Sequence, residues 1–157
     1  MQKITTFLWF DKEAEEAAKF YCSVFKSSKI LGITRHLEGS GAAKGEVLTV
    51  QFRLGDQEYV ALNGGPHFKF TEAISLMINC KDQKEVDYYW EKLLAGGGKE
   101  SACGWLKDKY GLSWQVTPAI LLEMIADKNR KKAQRAMDAM MQMVKLDIKK
   151  LKEAYDG

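Results

Sequence analysis

The sequence predicts an α+β fold in which one strand–helix–three-strand (βαβββ) unit is used twice, forming a curved mixed sheet, with helices appended at the end. Three observations predict it. Two amphipathic helical stretches each follow one strand-like stretch and precede a run of further strand-like stretches. Sliding the first helix by 69 positions puts Glu16 on Glu85, Ala17 on Val86, Phe20 on Tyr89, Tyr21 on Trp90, Val24 on Leu93 and Phe25 on Leu94. Everything after Pro118 then reads as helix. The units span 1–65 and 71–118 within one domain over 1–118. Residues 119–157 form a helical extension packed on that domain or on a second subunit.

The first unit opens with a β-branched and aromatic stretch, Lys3 to Phe10, that reads as a strand. Asp11 follows as the expected helix N-cap, its carboxylate able to accept a free N–H of the first turn. Ala14, Ala17, Ala18, Tyr21, Val24 and Phe25 recur at helical spacing and mark the apolar face. Strands are expected at Lys29–Glu38, Glu46–Leu54 and Gln57–Asn63, with turns at Gly39-Ser40-Gly41 and Gly55-Asp56. The second unit repeats the order. Glu72–Cys80 reads as a strand, Asp82 with Glu85 resembles a capping box, and Val86, Tyr89, Trp90, Leu93 and Leu94 form the helix face. Gly96-Gly97-Gly98 ends that helix. Shorter strands fit Lys99–Ser101, Cys103–Lys107 and Leu112–Pro118. In the extension, Ala119–Ala126 is one helix, Ala133, Ala136, Met137, Met140, Met141 and Val144 stripe a second, and Leu146, Ile148 and Leu151 belong to a third.

Composition sets the class. At 157 residues, with 46% hydrophobic and 29% charged residues, the chain has the make-up of one globular domain. A domain this long buries about 70% of its unfolded surface and needs no disulfides to fold. The three cysteines, Cys22, Cys80 and Cys103, are odd in number and widely spaced, so a reducing, cytoplasmic setting is expected. No apolar run reaches membrane-spanning length, and the opening MQKITTFLWFDKEAEE matches neither a signal nor a transit peptide. The charge is uneven. Lys128 to Gly157 holds nine basic and four acidic residues, while the remainder holds fifteen basic and seventeen acidic. This basic tail reads as a solvated helix face. It lacks the aromatic interleaving that single-stranded nucleic acid needs for stacking, so nucleic acid is not an expected partner.

Four stretches carry a family resemblance: FLWFDKEAEEAAKFYCSVF, ALNGGPHFKF, CGWLKDKYGLSWQ and KAQRAMDAMMQMVKLDI. Together they resemble PhnB-like proteins of the vicinal oxygen chelate superfamily, which also holds glyoxalases, bleomycin resistance proteins and dioxygenases. These PhnB-like chains are often labelled 3-demethylubiquinone-9 3-methyltransferases. The most specific stretch, Asp108 to Gln115, is similar to the superfamily's Asp-x-x-Gly turn, followed four residues later by an acidic or amide side chain. The resemblance implies a glyoxalase-like cup with helices on its convex side. It maps the superfamily's metal positions onto Thr5, Ala61, Ala73 or Ser75, and Gln115.

None of those positions is His or Glu, and neither His36 nor His67 falls on them. A divalent site needs convergent His, Cys or carboxylate ligands. No metal and no other cofactor is therefore expected. The methyltransferase label also lacks support, because neither Gly-rich turn follows a parallel strand and leads into a helix.

Strand alternation places Thr5, Phe7 and Trp9 on one face, and Ser113, Gln115 and Thr117 on another. The expected ligand-binding set is Thr5, Phe7, Trp9, Asn63, His67, Trp105 and Gln115. An apolar cup with a few polar points suits a planar organic molecule. The same aromatics also read as sheet interior. If the protein is an enzyme, the catalytic candidates are Gln115, to polarise an oxygen, and His67 or Cys103, as the reactive group. Two functions follow. One is a binding module that sequesters a small organic ligand. The other is a metal-independent enzyme of isomerase, lyase or transferase type. A homodimer is expected, and a membrane partner is not.

Overall fold

The structure, a computed structural model, describes residues 2–39, 41 and 43–157. Ser40 of the expected Gly39-Ser40-Gly41 turn lies outside the described residues. The chain divides after Lys69 into two compact units, the second continuing through the C-terminal helices. None of the described helices is long and apolar enough to cross a membrane.

The first unit contains β1 (Thr6–Phe10), α1 (Ala14–Val24), β2 (Lys29–Arg35), β3 (Val47–Leu54) and β4 (Gln57–Asn63). Its sheet runs β1-β4-β3-β2, with β1 parallel to β4 and the other pairs antiparallel. Helix α1 buries Ala14, Ala17, Ala18, Tyr21 and Val24, the spacing read from the sequence. Leu8, Phe10, Val50, Phe52 and Ala61 are buried and lie on one side of the strands by register. Tyr21 stacks on Phe52 at 6.1 Å between ring centroids, which places that side against α1.

Besides β2, which ends at Arg35 and not at Glu38, two details differ from the sequence reading. The first strand begins at Thr6, and Lys3 to Thr5 precede it. The backbone of Glu58 instead meets the Gln2 side chain, which donates to its carbonyl at 3.1 Å and accepts from its N–H at 2.9 Å. A side-chain amide thus does there what another pair of ladder bonds would do. Nor does Asp11 cap α1. The helix begins at Ala14, and its first N–H is satisfied by Asn63 Oδ1 at 2.8 Å, from the far end of β4. Asn63 Nδ2 donates to the Val47 carbonyl at 3.0 Å, so one amide ties the start of α1 to β3.

The second unit repeats the order with β5 (Ser75–Cys80), α2 (Gln83–Leu94), β6 (Lys99–Glu100), β7 (Trp105–Lys107) and β8 (Ser113–Pro118). Its sheet runs β5-β8-β7-β6, again with first and last strands parallel. The fold is therefore two four-stranded mixed sheets, one in each unit. Half of the capping box is present: Asp82 Oδ1 accepts from Glu85 N at 2.9 Å, while the Glu85 carboxylate accepts from the N–H of Lys81, one residue before the cap, at 2.9 Å. Strand β5 starts at Ser75 and not at Glu72, because Glu72 and Ala73 form a turn. Strand β7 starts at Trp105 and not at Cys103, whose φ of 60° takes it out of extended backbone.

After β8 come α3 (Ala119–Ile125), α4 (Arg130–Met141) and α5 (Ile148–Asp156). Leu121, Met124, Ala136, Leu146 and Leu151 form their shared core. The expected Met stripe divides. Ala133 and Ala136 are buried, whereas Met141 and Val144 are exposed, because α4 ends at Met141 and Val144 lies off the helix. Gln83 joins the extension to α2, donating to the Leu146 carbonyl at 3.0 Å and accepting from Ile148 N at 2.8 Å.

Replacing Asn63 with Ala removes a cap and a second hydrogen bond together. Chemical denaturation is expected to show a loss of about 1–2 kcal/mol for Asn63→Ala and less than about 0.5 kcal/mol for Asp11→Ala. Equal losses would contradict the cap assignment.

Candidate functional site

Each sheet has one face against its helix and a second face that the helix leaves free. In the first unit the register sets two rows across that second face: Phe7–Val60–Gln51–Gly32 and Trp9–Leu62–Thr49–Thr34. The edge on β1 is aromatic and the far edge small and polar. Phe7 is 59% exposed.

Trp9 is held from three sides. Its indole N–H donates to the Gly65 carbonyl at 2.8 Å. Phe68 meets it edge to face, with centroids 4.9 Å apart and planes at 81°. Gly64 lies so close to the indole that any Cβ at that position would overlap the ring. The Asn63-Gly64-Gly65-Pro66-His67-Phe68 segment is therefore the seat of Trp9. Such fixing holds an aromatic side chain in one rotamer before any ligand arrives, which lowers the entropic cost of binding.

The predicted residues of this unit fall in different settings. Phe7 and Trp9 share the face, and Thr5 precedes it, half-buried. Asn63 has its amide committed to Ala14 and Val47. His67 is exposed, in the turn after Pro66. The sequence reading missed Gly64, Phe68 and Gln51. A Gly-Gly-Pro segment with an aromatic two residues later was the available signal for the seat. Gln51 needed the strand register.

In the second unit the corresponding face carries Ser75, Met77 and Asn79 on β5, Ser113, Gln115 and Thr117 on β8, and Trp105 and Lys107 on β7. Gln115 Nε2 donates to Ser75 Oγ at 2.8 Å, and Trp105 is its neighbour in register on the other side. Of the alternatives Ala73 and Ser75, Ser75 is the one that meets Gln115.

The Asp-x-x-Gly turn organises this side. Asp108 is buried. Its Oδ1 accepts from Tyr110 N at 2.9 Å and Leu112 N at 3.1 Å, and its Oδ2 accepts from the Trp114 indole at 2.9 Å. Gly111, at φ 85°, closes the turn with its N–H on the Asp108 carbonyl. Asp108 is thereby occupied with holding β8, and Gln115 faces outward as a consequence.

The thiols differ. Burial pushes the Cys80 thiol up to about 12, with the Glu85 and Asp82 charges adding to it, and burial also raises Cys22. Both are poor nucleophiles near neutral pH. Cys103 is half-buried, its sulfur 3.6 Å from Met141 Sδ.

The positions that carry metal in the superfamily offer a hydroxyl at Thr5, a methyl at Ala61, a hydroxyl at Ser75 and an amide at Gln115. Ala61 pairs with buried Leu8 and Val50 and so lies on the helix-covered face, away from the face that carries Phe7 and Trp9. Among the described residues no group of three or more His, Cys, Asp or Glu is placed to hold a metal ion. This donor set does not fit a divalent cation. A nucleotide-like methyl donor fits no better, since the strand-to-helix junctions, Asp11-Lys12-Glu13 and Lys81-Asp82, contain no glycine.

Comparison with known proteins adds the family. Residues 2–117 match the model of 3-demethylubiquinone-9 3-methyltransferase, which leaves α3 to α5 beyond the match. A solved Bacillus cereus PhnB protein, named for the same methyltransferase, is 39% identical, covers 75% of this chain and 100% of its own, and superposes with a TM-score of 0.68. Two more distant structures share the fold. A Pseudomonas aeruginosa protein is 16% identical, with a TM-score of 0.59 and coverage of 73% of this chain and 95% of its own. The fosfomycin resistance protein FosX from Mesorhizobium loti is 14% identical, with a TM-score of 0.58 and coverage of 81% and 100%. No curated protein matches the chain.

Alanine at Gly64 tests the seat of Trp9. Its methyl would force the indole off the Gly65 carbonyl, so Gly64→Ala is expected to shift the Trp9 indole N–H resonance and cost about 1–3 kcal/mol. An unmoved resonance with unchanged stability would contradict the packing described.

Proposed function

The chain belongs to the 3-demethylubiquinone-9 3-methyltransferase family, PhnB-like proteins with the vicinal oxygen chelate fold, and we propose that it binds a small, planar organic molecule without a divalent metal. The observation that carries this reading is the pairing of an exposed Phe7 with an immobilised Trp9 on the helix-free face of the first sheet. A flat ligand would lie on Phe7 and Trp9, with Val60 and Leu62 as apolar floor and the Gln51 amide and Thr49 hydroxyl as hydrogen-bonding points at its polar end. Gly32, beside Gln51 in register, leaves room above the sheet at that end.

Binding of this kind needs no reactive group. His67 is exposed, and Cys80 is protonated well beyond neutral pH. The family's methyltransferase name is not adopted as an activity, because the strand-to-helix junctions lack the glycine turn that such a donor's polar groups would use.

The planar probe anilinonaphthalene sulfonate tests the surface on the native protein. Wild type is expected to bind it saturably with quenching of tryptophan fluorescence. Phe7→Ala, at an exposed position, should weaken binding about fivefold, the equivalent of one aromatic contact, with an unchanged circular dichroism spectrum. Equal affinity in wild type and Phe7→Ala would overturn the reading.

A further inference from the structure

A second site, separate in its evidence, is built into the second unit. At the end of its sheet a cavity of about 220 Å³ is lined by Glu72, Lys99, Glu100, Trp105, Lys107 and Ser113, among others. Four observations concern its chemistry. Lys107 forms an ion pair with Glu72, whose side chain is 64% exposed and stands in the turn before β5. Lys99 is opposite Lys107 in the β6–β7 register and has no ion-pair partner among the described residues, so two lysines stand side by side and only Lys107 is ion-paired. Ser113, 1% exposed, has a hydroxyl oxygen that is buried without a hydrogen-bond partner. Glu100, the other acid of the pocket, already accepts from the Trp90 indole at 2.9 Å.

Like charges in adjacent register positions destabilise a strand pair, and a buried hydroxyl without a partner costs free energy until one is supplied. A carboxylate remedies both. Glu72 shows that a carboxylate fits against Lys107, and an exposed ion pair on a turn contributes too little to resist exchange.

We propose that this pocket binds the carboxylate of a small organic acid. The ligand replaces Glu72 on Lys107, draws Lys99 as its second cation, accepts a hydrogen bond from the Ser113 hydroxyl, and rests its apolar part on Trp105. Glu72 is then an internal competitor that sets the affinity. The proposal does not depend on the first-unit reading, since every residue in it lies between Glu72 and Ser113.

The test is a titration of the full-length, ¹⁵N-labelled protein with benzoate, followed by NMR, with benzamide as the uncharged isostere. Benzoate is expected to shift the Ser113 and Lys107 amides and the Trp105 indole saturably, and benzamide to leave them in place. Lys107→Gln should weaken benzoate at least about tenfold, Ser113→Ala about fivefold, and Glu72→Gln should tighten it severalfold. Lys99→Gln, on a two-residue edge strand, removes the second charge with little risk to folding and should also weaken it. Equal response to benzamide, no gain from Glu72→Gln, or unchanged affinity in the two lysine variants would each overturn the proposal. Shifts confined to Phe7, Trp9 and Phe68 would overturn it too, while leaving the planar-ligand face of the first unit standing.

Discussion

One helix can cover only one face of a four-stranded sheet, and each unit supplies its sheet with one helix between the first strand and the rest. Side chains alternate along a strand, so every second residue is committed to that helix and the others are freed from it. In the first unit this sends Leu8 and Phe10 to α1 and Phe7 and Trp9 to the opposite side. In the second it sends Trp114 and Val116 to one side and Ser113, Gln115 and Thr117 to the other, where Ser113 and Thr117 are nonetheless buried. A slip of one residue in either ladder would exchange the two sets.

The register is held by polar groups far from any reactive role. Asn63 fastens the start of α1 to β3, and Asp108 fastens the turn before β8 through two backbone N–H groups and the Trp114 indole. Both sit close in sequence to residues of the proposed sites, Gly64 in one unit and Ser113 in the other. The site residues are therefore positioned by the same bonds that stabilise the fold, and a fixed aromatic such as Trp9 follows from backbone geometry as much as from its own packing.

Much of the fold was legible in the sequence because periodicity and capping residues speak for themselves. Helix α1 shows its buried face at Ala14, Ala17, Ala18, Tyr21 and Val24, Asp82 with Glu85 marks the start of α2, and Asp108 with Gly111 marks the last turn. The failures arose where a distant residue took over a local task. Asp11 looked like the cap, yet Asn63, 49 positions from Ala14, supplies it. Lys3 to Thr5 looked like strand, yet the Gln2 side chain occupies the Glu58 backbone. The site was less legible for the same reason. Phe7, Trp9 and Gln115 follow from alternation, whereas Gly64 under the Trp9 ring, the Gln115–Ser75 bond and the unpartnered Ser113 hydroxyl exist only once strands are paired. Ala61, mapped by resemblance onto a metal position, lies on the core side, one residue of register from the other face.

The central claim is that this member of the family recognises an organic molecule through neutral and aromatic groups at positions where a divalent metal would need His or carboxylate. Native mass spectrometry of the purified protein, with elemental analysis of the same sample, tests it most directly. The account predicts a protein mass free of stoichiometric metal that gains one organic adduct from a pool of planar small molecules. One tightly held zinc, nickel or iron per chain would contradict it.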